Sequence, residues 1–383
     1  MAPEPAEGGT ANDALGQLRG QLPERRASAR STAALLDNPA CVRRSVMDAA
    51  NIDLNKAGEL LGAPPKFGQS PFALGQGNRF ERRVKDGGYA LLVDVLREVG
   101  FDLPDQLKTV AITGPPNQAG LDSRVAQTIQ ALRSIGEGLP DAPNVIDHGV
   151  TTLDIGDKKV YLEQDALAFR VGDRIQICEV KGFPIVDGSA DPEKVGAAAR
   201  QSAVYLASLQ DTLAEIGADP DLVSDDVVLI CTKNYGLQPT ARTVNVGREL
   251  RALRRQLARK DRIGDILAAH GGANLLDQLS DLPDDDLEER VATIVEALPF
   301  NFVPRCISDC DMARHCRSEA EATRAPGRLG DEVQNLVAGV GDIAVAADLS
   351  NGAAPRGTGA EVAQILKRAR RAVTSAQDQG VRT

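Results

Sequence analysis

Apolar and polar positions alternate with a period of two over residues 174–181, so that Ile175, Ile177, Glu179 and Lys181 share one face of a predicted strand. Two apolar residues thus lead into a charged pair. Residues 159–169 read as a strand in the same way, and Gly172-Asp173 between the two runs has the turn chemistry of a hairpin. Further strands are predicted at 144–150, 227–231 and 243–246. Over 192–216 the pattern changes to a helix, with Val195, Ala198, Ala199, Val204, Leu206 and Leu209 as its apolar positions. A mixed sheet crossed by a helix defines an α/β fold class.

Helical patterns flank this core. Upstream they cover 31–50, 54–61, 78–99 and 122–135, with a break expected at Gly87-Gly88 and loops at Pro115-Pro116 and 136–143. Downstream they cover 284–298, whose acidic start suits a helix N-terminus, then 332–347 and 359–376. Residues 1–30 are rich in Ala, Gly, Pro, Glu and Arg without apolar periodicity and are expected to be mobile. The expected organisation is a tail (1–30), a helical region carrying Cys41 (31–140), an α/β core (141–262), a helical cysteine-bearing segment (263–320) and a helical C-terminal tail (321–383), with 31–320 forming one folded unit.

The turn decides what the charged pair can do. A three-residue loop, Val171 to Asp173, places Asp165 directly opposite Glu179, whereas a two-residue loop shifts it one position, onto the other face. In the first register two carboxylates and the Lys181 ammonium converge, an arrangement suited to Mg²⁺ or Mn²⁺ beside a phosphodiester. Lys181 would orient the attacking water and stabilise charge on the phosphate oxygens. The bland alternative is a solvated Glu–Lys pair. Gln201 and Tyr205, four apart and on one helical face, could contact the scissile phosphate or a stacked base, or could be ordinary helix surface with a half-buried tyrosine.

Six cysteines in 383 residues, without an apolar N-terminal segment, point to a reducing cytoplasmic setting and against a disulfide framework. Cys178 and Cys231 lie in apolar strand-like runs and are expected to be small buried hydrophobes. Cys306-x3-Cys310-x5-Cys316 is compact enough to ligate one centre, and Cys41 can supply a fourth thiolate. Such a set suits structural zinc or an iron–sulfur cluster.

The order Asp165, Glu179-Val180-Lys181, Gln201-x3-Tyr205 resembles the PD-(D/E)XK nuclease superfamily in its RecB-like branch. The stretch from Gly75 to Glu81 sits where that branch carries its first motif. Phe80 stands where many members have a metal-binding His, leaving Glu81 as the residue to carry over. Together with Cys41 and the three C-terminal cysteines, the string covers roughly residues 31–320 and is similar to the iron–sulfur subset that includes AddB-type nucleases and CRISPR-associated RecB-like exonucleases. Those families more often place two residues between the first two C-terminal cysteines, where this chain has three.

The resemblance implies a restriction-endonuclease-like mixed sheet flanked by helices. The catalytic set would be Asp165, Glu179, Lys181, Gln201 and Tyr205, and Mg²⁺ or Mn²⁺ would be held by Glu81, Asp165, Glu179 and Val180. It also implies a structural 4Fe-4S cluster on Cys41, Cys306, Cys310 and Cys316, joining the N-terminal helical region to the C-terminal cysteine segment, with zinc as the alternative. The activity expected is exonucleolytic hydrolysis of DNA, in repair or in defence against foreign DNA. The alternatives are a catalytically silent nucleic-acid-binding or assembly module, and a zinc-stapled protein with a surface Glu–Lys pair.

A net charge of −10 argues mildly against nucleic acid as a partner, since phosphate binding needs local positive charge. Between residues 241 and 262, however, Arg248, Arg251, Arg255 and Arg259 belong to a strongly basic helix, read either as a DNA-tracking wall or as a solvated face. With no tryptophan, four tyrosines and eight phenylalanines, stacking platforms are few; Phe80, Tyr205 and Phe183 are those expected near the site. Single- or double-stranded DNA ends are the expected partner, alongside a repair or defence protein, with oligomerisation left open. No run of about eighteen apolar residues suggests a membrane span, and no P-loop is present, so a motor would be a separate partner.

Overall fold

The computed structural model describes all residues except 1–10, 65–70, 105, 106, 116, 156, 157, 165, 166, 172, 173, 259–262, 338, 356–358 and 381–383. It is a mixed α/β protein. Among the described residues eight strands occur: β1 (Thr109–Ala111), β2 (Val145–Asp147), β3 (Val150–Ile155), β4 (Lys158–Glu163), β5 (Leu167–Val171), β6 (Arg174–Ile185), β7 (Asp226–Lys233) and β8 (Pro239–Asn245). Six form one sheet in the order β1-β2-β5-β6-β7-β8, in which β1/β2 and β6/β7 are parallel and the other pairs antiparallel. β3 and β4 form a separate antiparallel pair.

The continuous strand predicted at 159–169 is therefore two strands in two sheets. Between them the buried Gln164 leaves the ladder, its N–H donating to the Gly149 carbonyl at 2.8 Å. The β5–β6 register runs from Leu167↔Cys178 to Val171↔Arg174. That is the register of a two-residue loop, not the three-residue loop that would set Asp165 opposite Glu179. Asp165 itself lies outside the described residues.

The chain forms two compact units: one comprises Arg26–Pro39 and Gly68–Asp265, the other Met1–Arg25, Ala40–Phe67 and Ile266–Thr383. The first holds the six-stranded sheet. On one sheet face Ile146, Ile175, Ile177, Val227, Leu229 and Cys231 pack with Ala198, Ala203, Val204, Leu206 and Leu209 of helix Pro192–Glu215. On the other, Val145, Cys178, Val228, Ile230 and Ala241 meet Phe80 and Val84 of helix Pro71–Lys85 and Leu92 and Leu96 of helix Ala90–Glu98. Each fully buried Val, Leu, Ile or Phe side chain among these stabilises by about 1.5–3 kcal/mol. The strict alternation of Ile175, Ile177 and Cys178 between these two cores puts Glu179 and Lys181 on the face covered by the long helix.

The second unit is helical among its described residues. Residues 11–22, expected to be mobile, begin with helix Ala11–Arg19, and Leu15, Leu18 and Leu22 are buried. Buried Arg290 secures this segment by donating to the carbonyls of Gln17 (3.0 Å) and Leu18 (3.4 Å). The helix predicted at 31–50 is broken in two, Ala29–Leu36 and Val42–Ala49, because Pro39 cannot continue it. β1 likewise interrupts the expected all-helical stretch 31–140. Among the described residues no helix is long and apolar enough to cross a membrane.

Candidate active site

β6 carries the charged pair into the interior. The Glu179 side chain is 1% exposed, and its Oε1 lies 2.6 Å from Lys181 Nζ, whose side chain is 23% exposed. A carboxylate with that burial needs a cation close by, which excludes the solvated surface pair. Lys181 Nζ also donates to Gln201 Oε1 at 2.8 Å, and Gln201 Nε2 is 3.4 Å from Tyr205 Oη. Tyr205 Oη in turn donates to the Glu163 carbonyl at 3.1 Å, tying the long helix to the end of β4. Glu179, Lys181, Gln201 and Tyr205 therefore form one continuous polar chain across strand and helix. Cys231, paired with Lys181 in the β6–β7 register, lies against it. Burial pushes its thiol up to about 12, with Lys181 opposing and Glu179 adding to the shift. Cys178 faces the opposite core, where burial raises its thiol still further.

Tyr205 is 2% exposed and Phe80 is 1% exposed, so neither offers a face to a base, and Gln201 is engaged by Lys181. Phe183 is half-buried against the first core. Phe80 is a core residue because helix Pro71–Lys85 packs directly on β6. A Cβ added at Gly182 would come within 3.3 Å of the Gly77 Cα, so the strand approaches the helix closely there and favours glycine at 182.

Beside Phe80, Glu81 belongs to a second polar cluster that sequence reasoning missed. Lys85 Nζ lies 2.8 Å from Glu81 Oε1 and 3.0 Å from Asp147 Oδ1, and Tyr89 Oη donates to Asp147 Oδ2 at 2.8 Å. Burial opposes charge on Asp147, but the hydrogen bonds from Lys85 and Tyr89 outweigh it and hold its carboxyl below the usual range. Burial likewise opposes charge on Lys85, and Glu81 and Asp147 outweigh it and raise the ammonium. Tyr89 reaches Asp147 from a left-handed conformation, φ 68°, directly after Gly87 (φ 65°) and Gly88 (φ 69°), where the helical pattern breaks. His148 (φ 56°) lies 3.8 Å from Asp147 and 3.7 Å from Glu163, and Glu163 is also paired with Arg124 at 2.7 Å. Asp147, directly after the apolar Val145 and Ile146, fell within a strand-like run and gave no catalytic signal.

Hard divalent cations take oxygen ligands. Glu179 supplies a buried carboxylate, and Val180, lacking a side-chain donor, has only its carbonyl to offer. Glu81 is held by Lys85 instead, and Asp165 lies outside the described residues. Among the described residues no group of three or more His, Cys, Asp or Glu side chains is arranged to hold a metal ion. Glu179 and Val180 thus fit a hard cation in chemistry, without completing a cage.

The cysteines lie in the other unit. Cys41 caps helix Val42–Ala49, and Cys306, Cys310 and Cys316 lie on and between the short helices Cys306–Asp309 and Ala313–Ala322. The two arginines that follow Cys41 connect these pieces. Arg43 donates from Nη1 to Cys316 Sγ (3.3 Å), from Nε to the Leu298 carbonyl (3.0 Å) and from Nη2 to the Val295 carbonyl (2.6 Å), and it pairs with Glu319 at 2.8 Å. Arg44 donates to the Asp309 carbonyl at 2.9 Å and lies in the electrostatic reach of Cys41 and Cys310. Burial pushes the thiols of Cys310 up to about 12 and of Cys316 up to about 11; Arg44 and Arg43, respectively, oppose the shift. Cys41, Cys310 and Cys316 thus lie near these two cations; thiolates suit zinc or an iron–sulfur cluster in chemistry, but among the described residues the cysteines are not arranged as a group that could hold a metal ion.

Of the basic helix, Gly247–Leu257, the structure exposes Arg248, Arg251 and Arg255 on one side, while Leu250 and Leu253 join the core. Arg254 is taken up by Asp211 (2.7 Å) and the Ala207 carbonyl (3.1 Å). Arg259 lies outside the described residues.

No protein-family model matches the chain, and no curated protein matches it. Among solved structures, the crystal structure of SSO0001 is similar over 44% of this chain and 83% of its own, at 14% identity and a TM-score of 0.18, which carries no argument about fold or activity.

Proposed function

We propose that this protein is a divalent-metal-dependent deoxyribonuclease with a restriction-endonuclease-like core of the RecB-like PD-(D/E)XK kind, hydrolysing DNA from an end in repair or defence. The observation that carries the reading is the Glu179–Lys181–Gln201 chain, because it joins residues of two separate sequence motifs through one ammonium. Glu179, Val180 and Asp165 would hold Mg²⁺ or Mn²⁺, which when bound would supply an activated water and positive charge at the phosphate. Lys181 commits two of its three N–H donors to Glu179 and Gln201, leaving one for a phosphate oxygen or the attacking water. Tyr205 holds the helix bearing Gln201 at that distance. A 4Fe-4S cluster or zinc on Cys41, Cys306, Cys310 and Cys316 would have a structural role.

A catalytically silent DNA-binding module of the same fold is the second reading. It is favoured by one observation: Phe80 is core and Glu81 is neutralised by Lys85, so the first motif contributes no free ligand. Degradation of end-labelled single- and double-stranded DNA in Mg²⁺ or Mn²⁺, by anaerobically purified protein and by its Lys181→Ala variant, separates the two. Cleavage that the variant abolishes supports the nuclease. Binding without cleavage by either protein overturns it in favour of the silent module.

A further inference from the structure

The β7–β8 turn holds an aromatic side chain in an unusual setting. Tyr235 is 81% exposed, and both it (φ 64°) and Asn234 (φ 46°) are left-handed. That conformation is uncommon for a bulky non-glycine residue, and here the ring gains almost no packing in return. The turn is nevertheless firmly anchored. Asn234 N–H donates to the Ile185 carbonyl at 3.1 Å, Asp187 N–H donates to Asn234 Oδ1 at 3.2 Å, and Lys233 N–H donates to the Gln238 carbonyl at 2.8 Å. Asp187, in the loop after β6, is itself left-handed (φ 49°). Three of the seven non-glycine residues with positive φ among the described residues thus meet at this one end of the sheet, and such strain concentrates at functional sites.

The end in question belongs to the candidate active site. Lys181 pairs with Cys231 in the parallel β6–β7 register, two residues before β7 ends at Lys233, and Tyr235 lies in the turn that follows. Exposed Lys233 precedes the turn, and exposed Arg242 on β8 places Nη2 3.7 Å from the Cβ position at Gly188 in the loop after β6. Asp187 and Asp191 are the acidic groups of that loop. Two cations and a presented aromatic ring match a nucleic-acid strand, which offers phosphates and π-faces together.

We propose that Tyr235 is a stacking platform for a base of single-stranded DNA, with Lys233 and Arg242 on its phosphates, and that it presents the strand to Lys181. This rests on the nuclease reading for the strand's destination, while the contact itself is a binding claim and is tested without cleavage. The chain has no tryptophan, so Tyr235→Trp introduces a sole indole at the tip. In the Lys181→Ala background, adding single-stranded oligodeoxythymidine should quench that indole. Tyr235→Ala should weaken binding of the same labelled oligonucleotide, read by anisotropy, about tenfold, and Tyr235→Phe should restore it.

Quenching together with that affinity loss supports the proposal even if the parent protein cleaves nothing, in which case only the nuclease reading falls. An unchanged indole signal while the oligonucleotide binds, or no DNA binding at all, overturns the proposal. An indole shift that depends on protein concentration and not on DNA also overturns it, and assigns the tip to contact with a second copy.

Discussion

Lys181 Nζ and Gln201 Oε1 are 2.8 Å apart across twenty residues of sequence, the one on the central strand β6 and the other on the helix that covers it. The contact fixes the ammonium beside Glu179 instead of leaving it on a flexible four-carbon stem. Gln201→Leu should therefore lower kcat for DNA cleavage by about 10²-fold with little change in KM, since it removes orientation and not a substrate contact. Steady-state kinetics on an end-labelled duplex measures the split.

Restoring the histidine that many RecB-like sequences carry should not help this chain. Phe80 is surrounded by Val84, Leu92, Val145 and Cys178. Phe80→His should cost about 3 kcal/mol, from lost packing and a buried imidazole, and should not raise metal affinity. Urea unfolding and calorimetric titration with Mn²⁺ read both effects.

The buried Lys85–Asp147 pair makes stability pH-dependent in two directions. The Asp147 carboxyl is held below its unfolded value of about 3.9, so its contribution is complete above that pH and is lost as pH falls through the lower folded value. Lys85 is held above about 10.4, so its contribution is complete below that pH and is lost as pH rises through the higher folded value. Asp147→Ala should cost about 2 kcal/mol at neutral pH, because it removes one of the two carboxylates of Lys85 and the acceptor of Tyr89 while Glu81 remains. Denaturant midpoints across the pH range should show the variant's deficit shrinking at the acid end.

The exposed arginines should act through phosphates alone. Replacing Arg248, Arg251 and Arg255 together by Ala should reduce the slope of log K against log salt by about 2 on single-stranded DNA, irrespective of sequence. Arg254→Ala should leave that slope unchanged and cost under about 1 kcal/mol of stability, because its partner is Asp211.

Metal content decides the role of the cysteines. Anaerobically purified protein should carry iron with the absorbance of a cluster, or else stoichiometric zinc. Cys316→Ser should lose the metal and lower the thermal midpoint of the Cys41-bearing unit, whereas Cys178→Ser should leave metal content unchanged because Cys178 lies in the sheet core. Elemental analysis of the three proteins checks this.

Much of the α/β character was legible from local pattern. The alternation around Ile175 and Ile177 marked β6, and the apolar positions from Ala198 to Leu209 marked its covering helix, because burial on one face imposes a period that a sequence displays directly. The same alternation placed Glu179 and Lys181 together on one face. The helix at 11–19 also had a signal, Leu15, Leu18 and Leu22 at helical spacing, which composition obscured.

What the sequence determined by itself was thus the identity and facing of the charged pair. Tertiary structure alone decided the rest. The split of 159–169 between two sheets and the hairpin register depend on which strand each half finds as a neighbour. The burial of Phe80 and Tyr205 depends on helices that approach β6 from opposite sides. The Asp147–Lys85–Glu81 cluster and the exposure of Tyr235 depend on loops whose positive φ values no local periodicity encodes. Periodicity records which face of an element is buried; it carries no information about which distant side chain will be waiting there.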